Sequence, residues 1–209
     1  MKLYDMTRAP NPRRVRIFLA EKGIEVDTVQ VDVLAGENLT DAYLKINPRG
    51  LIPSLELDDG TCLTETVAIC RYLEETHPEP PLMGASPLDK ARVEMWQRVM
   101  EQDGLAAVGE TYRNSAPNLA GRRMAGTAGG DQIPEIAEQG RERVAEFLDM
   151  LDARLGEADY VAGDSFSIAD ITALCTVDFA RAIHMAPADS HTNIKRWHTV
   201  VSDRPSARA

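Results

Sequence analysis

A proline inside a short apolar run, Leu51-Ile52-Pro53-Ser54-Leu55-Glu56-Leu57, constrains the fold of this chain more than any other feature. A strand interior needs the N–H that proline lacks, so Pro53 must lie at the first residue of a strand or on a sheet edge. An Asp58-Asp59-Gly60 turn follows, and Thr61 to Leu63 come after it. The sequence therefore predicts a β-hairpin that begins at or near Pro53.

The peptide bond before Pro53 is open to two interpretations. In one, Pro53 is an ordinary trans proline on a sheet edge. In the other, a cis Ile52–Pro53 bond turns the N–H and C=O of Ile52 outward, where they are free to pair with an extended peptide ligand.

A helix is predicted directly after the hairpin, with Thr64 as its N-cap and an apolar side that includes Ile69 and Leu73. The free N–H groups at Glu65 and Thr66, together with the Thr66 hydroxyl, suit a carboxylate. The Glu65 side chain could hold an ammonium group beside it. These groups match the two charged ends of an amino acid, although a plainly capped helix is the alternative.

The pattern Asn47-Pro48-x-Gly50-x-Ile52-Pro53, followed by Glu65-Thr66 and an apolar helix, resembles the glutathione-binding half of cytosolic glutathione transferases. That family usually has Val before the proline and Ser after the Glu or Gln. Isoleucine and threonine at these positions keep the backbone and hydroxyl chemistry. The resemblance implies glutathione as co-substrate and favours the cis form of the Ile52–Pro53 bond.

The resemblance also implies which residues bind each part of glutathione. Ile52 and Pro53 are expected at the cysteinyl backbone, and Glu65 with Thr66 at the γ-glutamyl end. Asn38 and Leu51 fall where other classes hold the glycine carboxylate, and of these two only Asn38 has a side chain that can bind it.

The order of predicted elements, β-α-β-α-β-β-α, is typical of an α/β thioredoxin-like domain and spans residues 1–78. Within it, Pro12 is expected as the first helical residue of the first helix, and Asn38 to Ile46 as a short helix. A proline-rich linker follows over 79–87, and residues 88–209 are predicted to form an all-α helical bundle. In that bundle, Ser167 and Asp170 match a capping box.

A transferase of this family must stabilise the glutathione thiolate, and the N-terminus of the first helix can contribute to this. The usual serine or cysteine donor is replaced by Ala9, and Tyr4 is one residue away from the position of the usual tyrosine. Ala9-Pro10-Asn11 resembles the nu-class bacterial transferases, which implies Asn11 as the residue that contacts sulfur. Thr7 is a second candidate donor, and turn residues are the structural alternative for both.

The second substrate is expected between the Thr7–Asn11 loop and the end of a long helix over Leu88 to Tyr112, where Tyr112 and Arg113 lie. A glycine- and alanine-rich loop from Arg113 to Asp131 follows. The three arginines at positions 13, 14 and 16 are interpreted as a solvated helix face. The expected partner is a hydrophobic electrophile, a disulfide or a peroxide.

The net charge of −10 and a pI near 4.9 argue against a nucleic-acid surface, which requires basic residues. No apolar run approaches the length of a membrane span, and the start of the chain shows no signal peptide. The His spacing predicts no metal site, and three cysteines without C-x-x-C spacing indicate a reducing cytoplasm. The resemblance further implies a homodimer.

Two functions remain open at this stage. The first is a glutathione-dependent enzyme that conjugates electrophiles or reduces disulfides or peroxides. The second is a non-catalytic binding module that keeps the transferase fold, which the alanine at position 9 favours.

Overall fold

The computed structural model describes residues 1–127 and 129–209. Its first part contains strands β1 (Lys2–Asp5), β2 (Asp27–Gln30), β3 (Ser54–Glu56) and β4 (Cys62–Thr64), and helices α1 (Pro10–Lys22), α2 (Asp41–Leu44) and α3 (Thr66–Thr76). Its second part contains helices α4 (Pro87–Val99), α5 (Ala106–Ser115), α6 (Pro134–Glu157), α7 (Ile168–Ala180) and α8 (Thr192–Ser202). The predicted thioredoxin-like domain followed by a helical domain is confirmed.

The sheet has the strand order β2-β1-β3-β4, with β1 and β2 parallel and the other pairs antiparallel. Ser54 lies opposite both Tyr4 on β1 and Thr64 on β4. Consequently the loop after β1, the segment before β3 and the start of α3 all meet at one edge of the sheet. The predicted hairpin is confirmed, and the Ile52–Pro53 bond is cis.

Helix α1 lies between the sheet and the helical domain. Its buried face carries apolar residues such as Val15 and Phe18. Its polar residues also point inward, because Arg13 pairs with Asp178 on α7 at 2.7 Å and Glu21 pairs with Arg204 at 2.7 Å. These ion pairs hold the two domains together across α1.

Several predicted boundaries differ from the structure. Helix α1 begins at Pro10 rather than Pro12, because a proline in the first turn loses no intrahelical hydrogen bond. The segment expected to be one helix from Asn38 to Ile46 is a 3-10 turn followed by α2, since Thr40 takes an extended conformation between them and caps α2. The predicted solvated face at positions 13, 14 and 16 is wrong, because all three arginines pair with carboxylates and Arg14 is 1% exposed.

The long helix predicted from Leu88 to Tyr112 continues to Ser115, but its hydrogen bonding changes to a π-helical segment over Met100–Leu105. Gly104 lies in this segment, and a Cβ atom there would come within 2.5 Å of the Phe147 ring on α6. The close approach explains why this turn needs glycine.

The α5–α6 loop, residues 116–133, crosses back to the thioredoxin-like domain. Arg122 donates to the Leu34 carbonyl at 3.0 Å. Gly126, at φ +69°, packs directly on the main chain of Arg49, and the Leu51 side chain is 3.2 Å from where a Cβ atom at Gly126 would lie. The loop therefore borders the segment that leads into Pro53. Ala128, within this loop, lies outside the described residues.

Candidate active site

The segment before Pro53 is fixed by side chains from α2 and its neighbours. The Leu51 carbonyl accepts hydrogen bonds from the Tyr43 hydroxyl at 2.7 Å and the Asn47 amide at 2.8 Å. The Gly50 carbonyl accepts from the Asn38 amide at 2.7 Å, and Gly50 has φ +60°. Asn47 and Gly50 of the motif are therefore explained by the geometry of this turn.

The next residue, Ile52, presents its main chain without a partner. Neither its N–H nor its C=O makes a hydrogen bond within residues 1–127 and 129–209. Unpaired backbone groups at a sheet edge are the groups that bind an extended peptide. Ile52 can therefore hold the backbone of a short peptide in a β-like arrangement.

The N-terminus of α3 lies beside Ile52, because Thr64 pairs with Ser54. Its N-cap is Glu65, at φ 68° and ψ 121°, rather than the predicted Thr64. The N–H groups of Thr66, Val67 and Ala68, and the Thr66 hydroxyl, have no hydrogen-bond partner in the described part of the chain. Unpaired donors of this kind, together with the helix dipole, are suited to an anion.

Glu65 supplies the charge of opposite sign at the same place. Its side chain is exposed and pairs with the equally exposed Arg49. Surface ion pairs of this kind contribute little to stability, so an ammonium group can replace the arginine at small cost. Glu65 also lines an open cavity of about 390 Å³ between α3 and α4.

The N-terminus of α1 lies on the other side of Ile52, since Tyr4 pairs with Ser54. Ala9 is its N-cap and offers no side-chain group. The Asn11 side chain is half-buried, and its Oδ1 accepts a hydrogen bond from Arg14 at 2.8 Å. Because arginine only donates, this contact fixes the orientation of the amide. The Asn11 Nδ2 atom makes no hydrogen bond with any described residue, so its N–H groups are available to a ligand.

Arg14, which sequence reasoning assigned to a solvated face, orients this amide. It is 1% exposed and its second nitrogen pairs with Glu101 of the π-helical segment at 2.9 Å. The carboxylate and the Asn11 oxygen hold the guanidinium between α1 and the long helix. The sequence does contain a signal for this role. The apolar residues of α1 follow Arg14 directly, and a helix that buries so many of them leaves little room for a solvated face that includes position 14.

Thr7 is used differently. Its hydroxyl and its backbone N–H both donate to the Gln30 side-chain oxygen at 2.9 Å, and Gln30 in turn donates to the buried Asp5. The Thr7 hydroxyl hydrogen, which would have to be donated to a sulfur atom, is therefore already donated to Gln30. This contact disfavours Thr7 as the sulfur ligand. It indicates instead that Thr7 anchors the loop after β1 to Gln30 at the end of β2.

Tyr4 points away from the site. Its hydroxyl donates to Glu56 at 2.6 Å, and this hydrogen bond, with burial, raises the pKa of Tyr4 to about 12. The residue therefore stays neutral and hydrogen-bonded on the β3 side.

Asn38 does not present a donor at the surface. It is 2% exposed, one amide hydrogen is given to Gly50, and its Oδ1 is buried without a partner among the described residues. A carboxylate cannot bind that oxygen, since both are acceptors. The expectation that Asn38 binds the glycine carboxylate is not supported by this geometry, and Leu51 has no polar side chain to replace it.

Tyr112 and Arg113 lie at the end of α5. The Tyr112 ring packs edge-on against Phe179 at 5.3 Å, and Phe179 follows Asp178, the partner of Arg13 on α1. This contact places the end of α5 near the start of α1. Burial and the nearby Arg122 lower the pKa of Arg113.

The cysteines take no part in this arrangement. Cys70 and Cys175 are buried, and burial raises the pKa of their thiols to about 12 and about 11. Cys62, predicted to be buried, is half-exposed, and burial likewise raises the pKa of its thiol. No group of three or more metal-binding side chains is found among residues 1–127 and 129–209, and no helix there is long and apolar enough to cross a membrane.

A mixed sheet with this strand order, followed by a bundle of helices, defines a protein with a thioredoxin-like domain and an added helical domain. Residues 3–81 match the family model for the glutathione S-transferase N-terminal domain, and residues 111–205 match that for the C-terminal domain. Glutathione S-transferase 2 of Saccharomyces cerevisiae is 32% identical over 100% of this chain and 88% of its own length. The chain belongs to the glutathione S-transferase family.

Solved structures agree with this assignment. The crystal structure of Gtt2 from Saccharomyces cerevisiae is 32% identical and superimposes with a TM-score of 0.92 over 100% of this chain and 99% of that one. A glutathione S-transferase domain-containing protein of Marinobacter aquaeolei is 36% identical, with a TM-score of 0.90 over 99% of both chains. Family membership supports a glutathione-dependent transferase function, with glutathione as co-substrate.

Proposed function

We propose that this protein binds glutathione along Ile52 and uses Asn11 to stabilise the thiolate that attacks a second substrate. The observation that carries the proposal is the Asn11 amide, whose oxygen is held by Arg14 at 2.8 Å while its N–H groups have no partner among the described residues. The main chain of Ile52 takes the cysteinyl residue. Thr66 and the first N–H groups of α3 take the γ-glutamyl carboxylate, and Glu65 takes the ammonium.

The chemistry follows from the pKa of the thiol. A free thiol has a pKa of about 8.5, so most of it is protonated at neutral pH. The N-terminus of α1 and the Asn11 N–H groups both favour the charged form, which lowers that value. Asparagine has no basic group, so the proton leaves to solvent and Asn11 stabilises the thiolate without acting as a base.

The thiolate can react in two ways. It can displace a leaving group from an electrophilic carbon or add to it, which forms a thioether. It can also attack a disulfide or a peroxide, after which a second glutathione thiol completes the reduction and glutathione disulfide is released. The second route is a significant activity in this proposal, because Asn11 stands where the nu-class resemblance has its sulfur ligand. An aryl halide, an organic hydroperoxide and a small mixed disulfide, assayed in parallel, distinguish the routes.

The decisive experiment is the ultraviolet absorbance of the thiolate when glutathione is added at a series of pH values. Wild-type protein is expected to show a thiolate with a pKa lowered by about one to two units, which is the effect of one or two hydrogen bonds to a charged group. Asn11→Asp keeps the oxygen that Arg14 binds but replaces the donors with an anion. It should therefore raise the thiol pKa to or above its free value.

A non-catalytic binding module is the second candidate, because Ala9 removes the donor that serine or cysteine provides. Calorimetry separates the two. Binding of glutathione by wild type without a thiolate signal at any pH between 5 and 8 would favour the binding module, and that interval covers the range in which a stabilised thiolate would titrate.

The same face that carries Glu65 suits the association of two subunits. Met95 and Leu88 on α4 are 53% and 61% exposed, and the cavity between α3 and α4 is lined by Glu94 and Arg98 of the same helix. A homodimer that covers this face would enclose the γ-glutamyl end of the site. Light scattering at micromolar concentration tests it, and a monomer would contradict it.

A further inference from the structure

A buried ion pair lies one turn below the N-terminus of α1. Arg14, three residues after Asn11 on the same helix face, is 1% exposed, and one of its nitrogens pairs with Glu101 at 2.9 Å. Its other terminal nitrogen donates to the Asn11 Oδ1 atom at 2.8 Å. The guanidinium therefore lies between the Glu101 carboxylate and the Asn11 amide, and its charge is directed at the amide that the proposed function places beside sulfur.

Glu101 reaches this position from a distorted part of the long helix. It belongs to the π-helical segment Met100–Leu105, whose wider turns shift side chains around the helix axis relative to a regular α-helix. The same segment is fixed against α6 at Gly104, where the Phe147 ring leaves no room for a Cβ atom. Single π-helical turns of this kind are frequent at functional sites. Here the turn brings a carboxylate of the helical domain to an arginine of the thioredoxin-like domain.

Two further polar side chains border the ion pair. Arg98, which is half-exposed, also pairs with Glu101 at 3.4 Å, where solvent screens the interaction. Gln97 is 0% exposed and uncharged. Its amide is satisfied when its oxygen faces Arg14 at 2.7 Å and its nitrogen faces the Ile168 carbonyl at 3.0 Å. Arg14 thus has a second acceptor that holds the guanidinium without neutralising it.

The other titratable groups near Arg14 are buried thiols. Cys70 and Cys175 lie close enough to feel the guanidinium charge, yet burial raises the pKa of their thiols to about 12 and about 11. Both therefore stay protonated at neutral pH, and Glu101 is the single carboxylate partner of Arg14 among the described residues. For the same reason neither thiol contributes to a thiolate absorbance measured below about pH 8.

We propose that Arg14 is a positioning residue for the glutathione thiolate and that Glu101 limits the positive charge that Arg14 directs there, which rests on the function proposed above. Arg14 binds the oxygen of the Asn11 amide. This contact fixes the direction of the amide N–H groups and makes them better donors, because hydrogen bonds in series strengthen one another. The cation also favours an anionic sulfur directly, and the Glu101 carboxylate offsets part of that effect. The helical domain therefore sets how much thiolate the first domain holds.

A purely structural role for the ion pair predicts a different result. A pair that only holds α1 against the long helix is weakened in the same way by the loss of either partner. The Asn11 amide would lose its orientation in both cases, so the pKa of the glutathione thiol would rise in both variants or in neither. The proposal instead requires two shifts of opposite sign.

The test is the ultraviolet titration of the bound glutathione thiol in Arg14→Gln and Glu101→Gln. Arg14→Gln removes a cation at roughly 8 Å from the sulfur, the reach of two successive hydrogen bonds, and should raise the thiol pKa by about 0.5–1 unit. Glu101→Gln keeps an oxygen for Arg14 but removes the anion, and should lower the thiol pKa by about 0.3–0.5 unit. Arg14→Lys keeps the charge but loses the planar pair of donors, so its thiol pKa should lie between wild type and Arg14→Gln.

Glu110→Gln and Arg143→Gln are the matched controls. Glu110 and Arg143 form an exposed ion pair at 2.8 Å between α5 and α6, so these substitutions remove the same charges where solvent screens them. Neither should move the thiol pKa by more than about 0.1 unit. If the buried substitution Arg14→Gln does not fold, Glu101→Gln still decides, because a thiol pKa at or above that of wild type contradicts the proposal.

Opposite shifts in the two variants, absent from both controls, support the proposal. Shifts of the same sign, no shift in either variant, or shifts equal to those of the controls overturn it. The wild-type titration separates this inference from the function on which it rests. A wild-type thiol that titrates at its free value refutes the proposed function and the role of Arg14 with it. A lowered wild-type value that neither variant changes refutes the role of Arg14 and Glu101 alone.

Discussion

Two helices of this protein begin in opposite ways. At α7, Ser167 and Asp170 form a complete capping box, and the Asp170 carboxylate also accepts from Val161 and from the Trp197 indole, both at 2.9 Å. At α3, Glu65 caps the helix with a positive φ and no side-chain hydrogen bond to the helix among the described residues. The first helix end satisfies its own donors, whereas the donors of the second have no partner among residues 1–127 and 129–209.

The difference shows how one fold separates stability from binding. Asp170 is 0% exposed and joins three elements, whereas Glu65 is exposed and makes one surface ion pair. A helix end that is fully hydrogen-bonded inside the protein has nothing to offer a substrate. The same donors left free at the surface are an anion site. Substitutions at the two ends should therefore affect different measurements.

The largest effect is expected for Asp170→Ala. It leaves the buried N–H groups of Val161, Ser167 and Trp197 without an acceptor, and the free energy of unfolding should fall by about 3–5 kcal/mol. Chemical denaturation measures this loss. The dissociation constant of glutathione for the folded fraction should stay as in wild type, and a loss below 1 kcal/mol would contradict the importance of the capping box.

Thr66→Val is expected to act on binding alone. The change keeps the shape of the side chain but removes the hydroxyl proposed to hold the γ-glutamyl carboxylate, which should weaken glutathione binding about 10-fold. Calorimetric titration gives the affinity and thermal unfolding the stability. Unchanged affinity would show that the hydroxyl does not reach the ligand.

Ser167→Ala is the matched removal of a hydroxyl at the capped helix end. Its Oγ accepts from the Ala169 N–H at 3.3 Å, and loss of an N-cap of this kind lowers stability by about 1 kcal/mol. Glutathione affinity should not change. If it weakened as much as in Thr66→Val, the two helix ends would not be independent.

Glu65→Gly should raise stability while it weakens binding. The backbone at φ 68° is strained by about 1–3 kcal/mol for a residue with a Cβ atom, and glycine relieves this strain at an entropic cost of about 0.5–1 kcal/mol. The net gain should be about 1 kcal/mol in denaturant unfolding. A lower stability would mean that the Glu65–Arg49 pair outweighs the strain.

The smallest effect is expected for Thr7→Val at the start of α1. Its hydroxyl is already bonded to Gln30, so kcat/KM for any glutathione-dependent reaction should change by less than about 2-fold, well below the loss from removing a hydrogen bond to a thiolate. Steady-state kinetics measures it beside Asn11→Asp. A loss of kcat/KM as large as that of Asn11→Asp would indicate that Thr7 contacts the sulfur.

Short-range patterns were readable from the sequence. The hairpin at Pro53, the cis bond and the capping box of Ser167 and Asp170 are each encoded within a few residues, so local chemistry and the family motif identify them. Residue periodicity gave the order of elements, and the proline-rich linker indicated the two domains. The roles of Ile52, Glu65 and Thr66 stay proposals that this local geometry supports.

Long-range contacts were not readable in this way. Arg14 looked like one of three solvated arginines, yet its nitrogens bind Asn11 and Glu101, and the second partner is 87 residues away in the chain. Asn38 looked like a donor for a carboxylate, but the turn at Gly50 uses its amide. Which partner a long polar side chain chooses depends on the elements that pack around it.

The sequence by itself determined the β-hairpin, the capping box of α7 and the family, because those depend on hydrogen bonds and periodicities between near neighbours. Tertiary structure decided which polar groups have no partner among the described residues: the Asn11 amide nitrogen rather than the Thr7 hydroxyl, and the Arg113 side chain rather than that of Arg13. The physical reason is that every buried donor and acceptor must be satisfied somewhere in the fold. Only the complete packing shows which groups remain for a ligand.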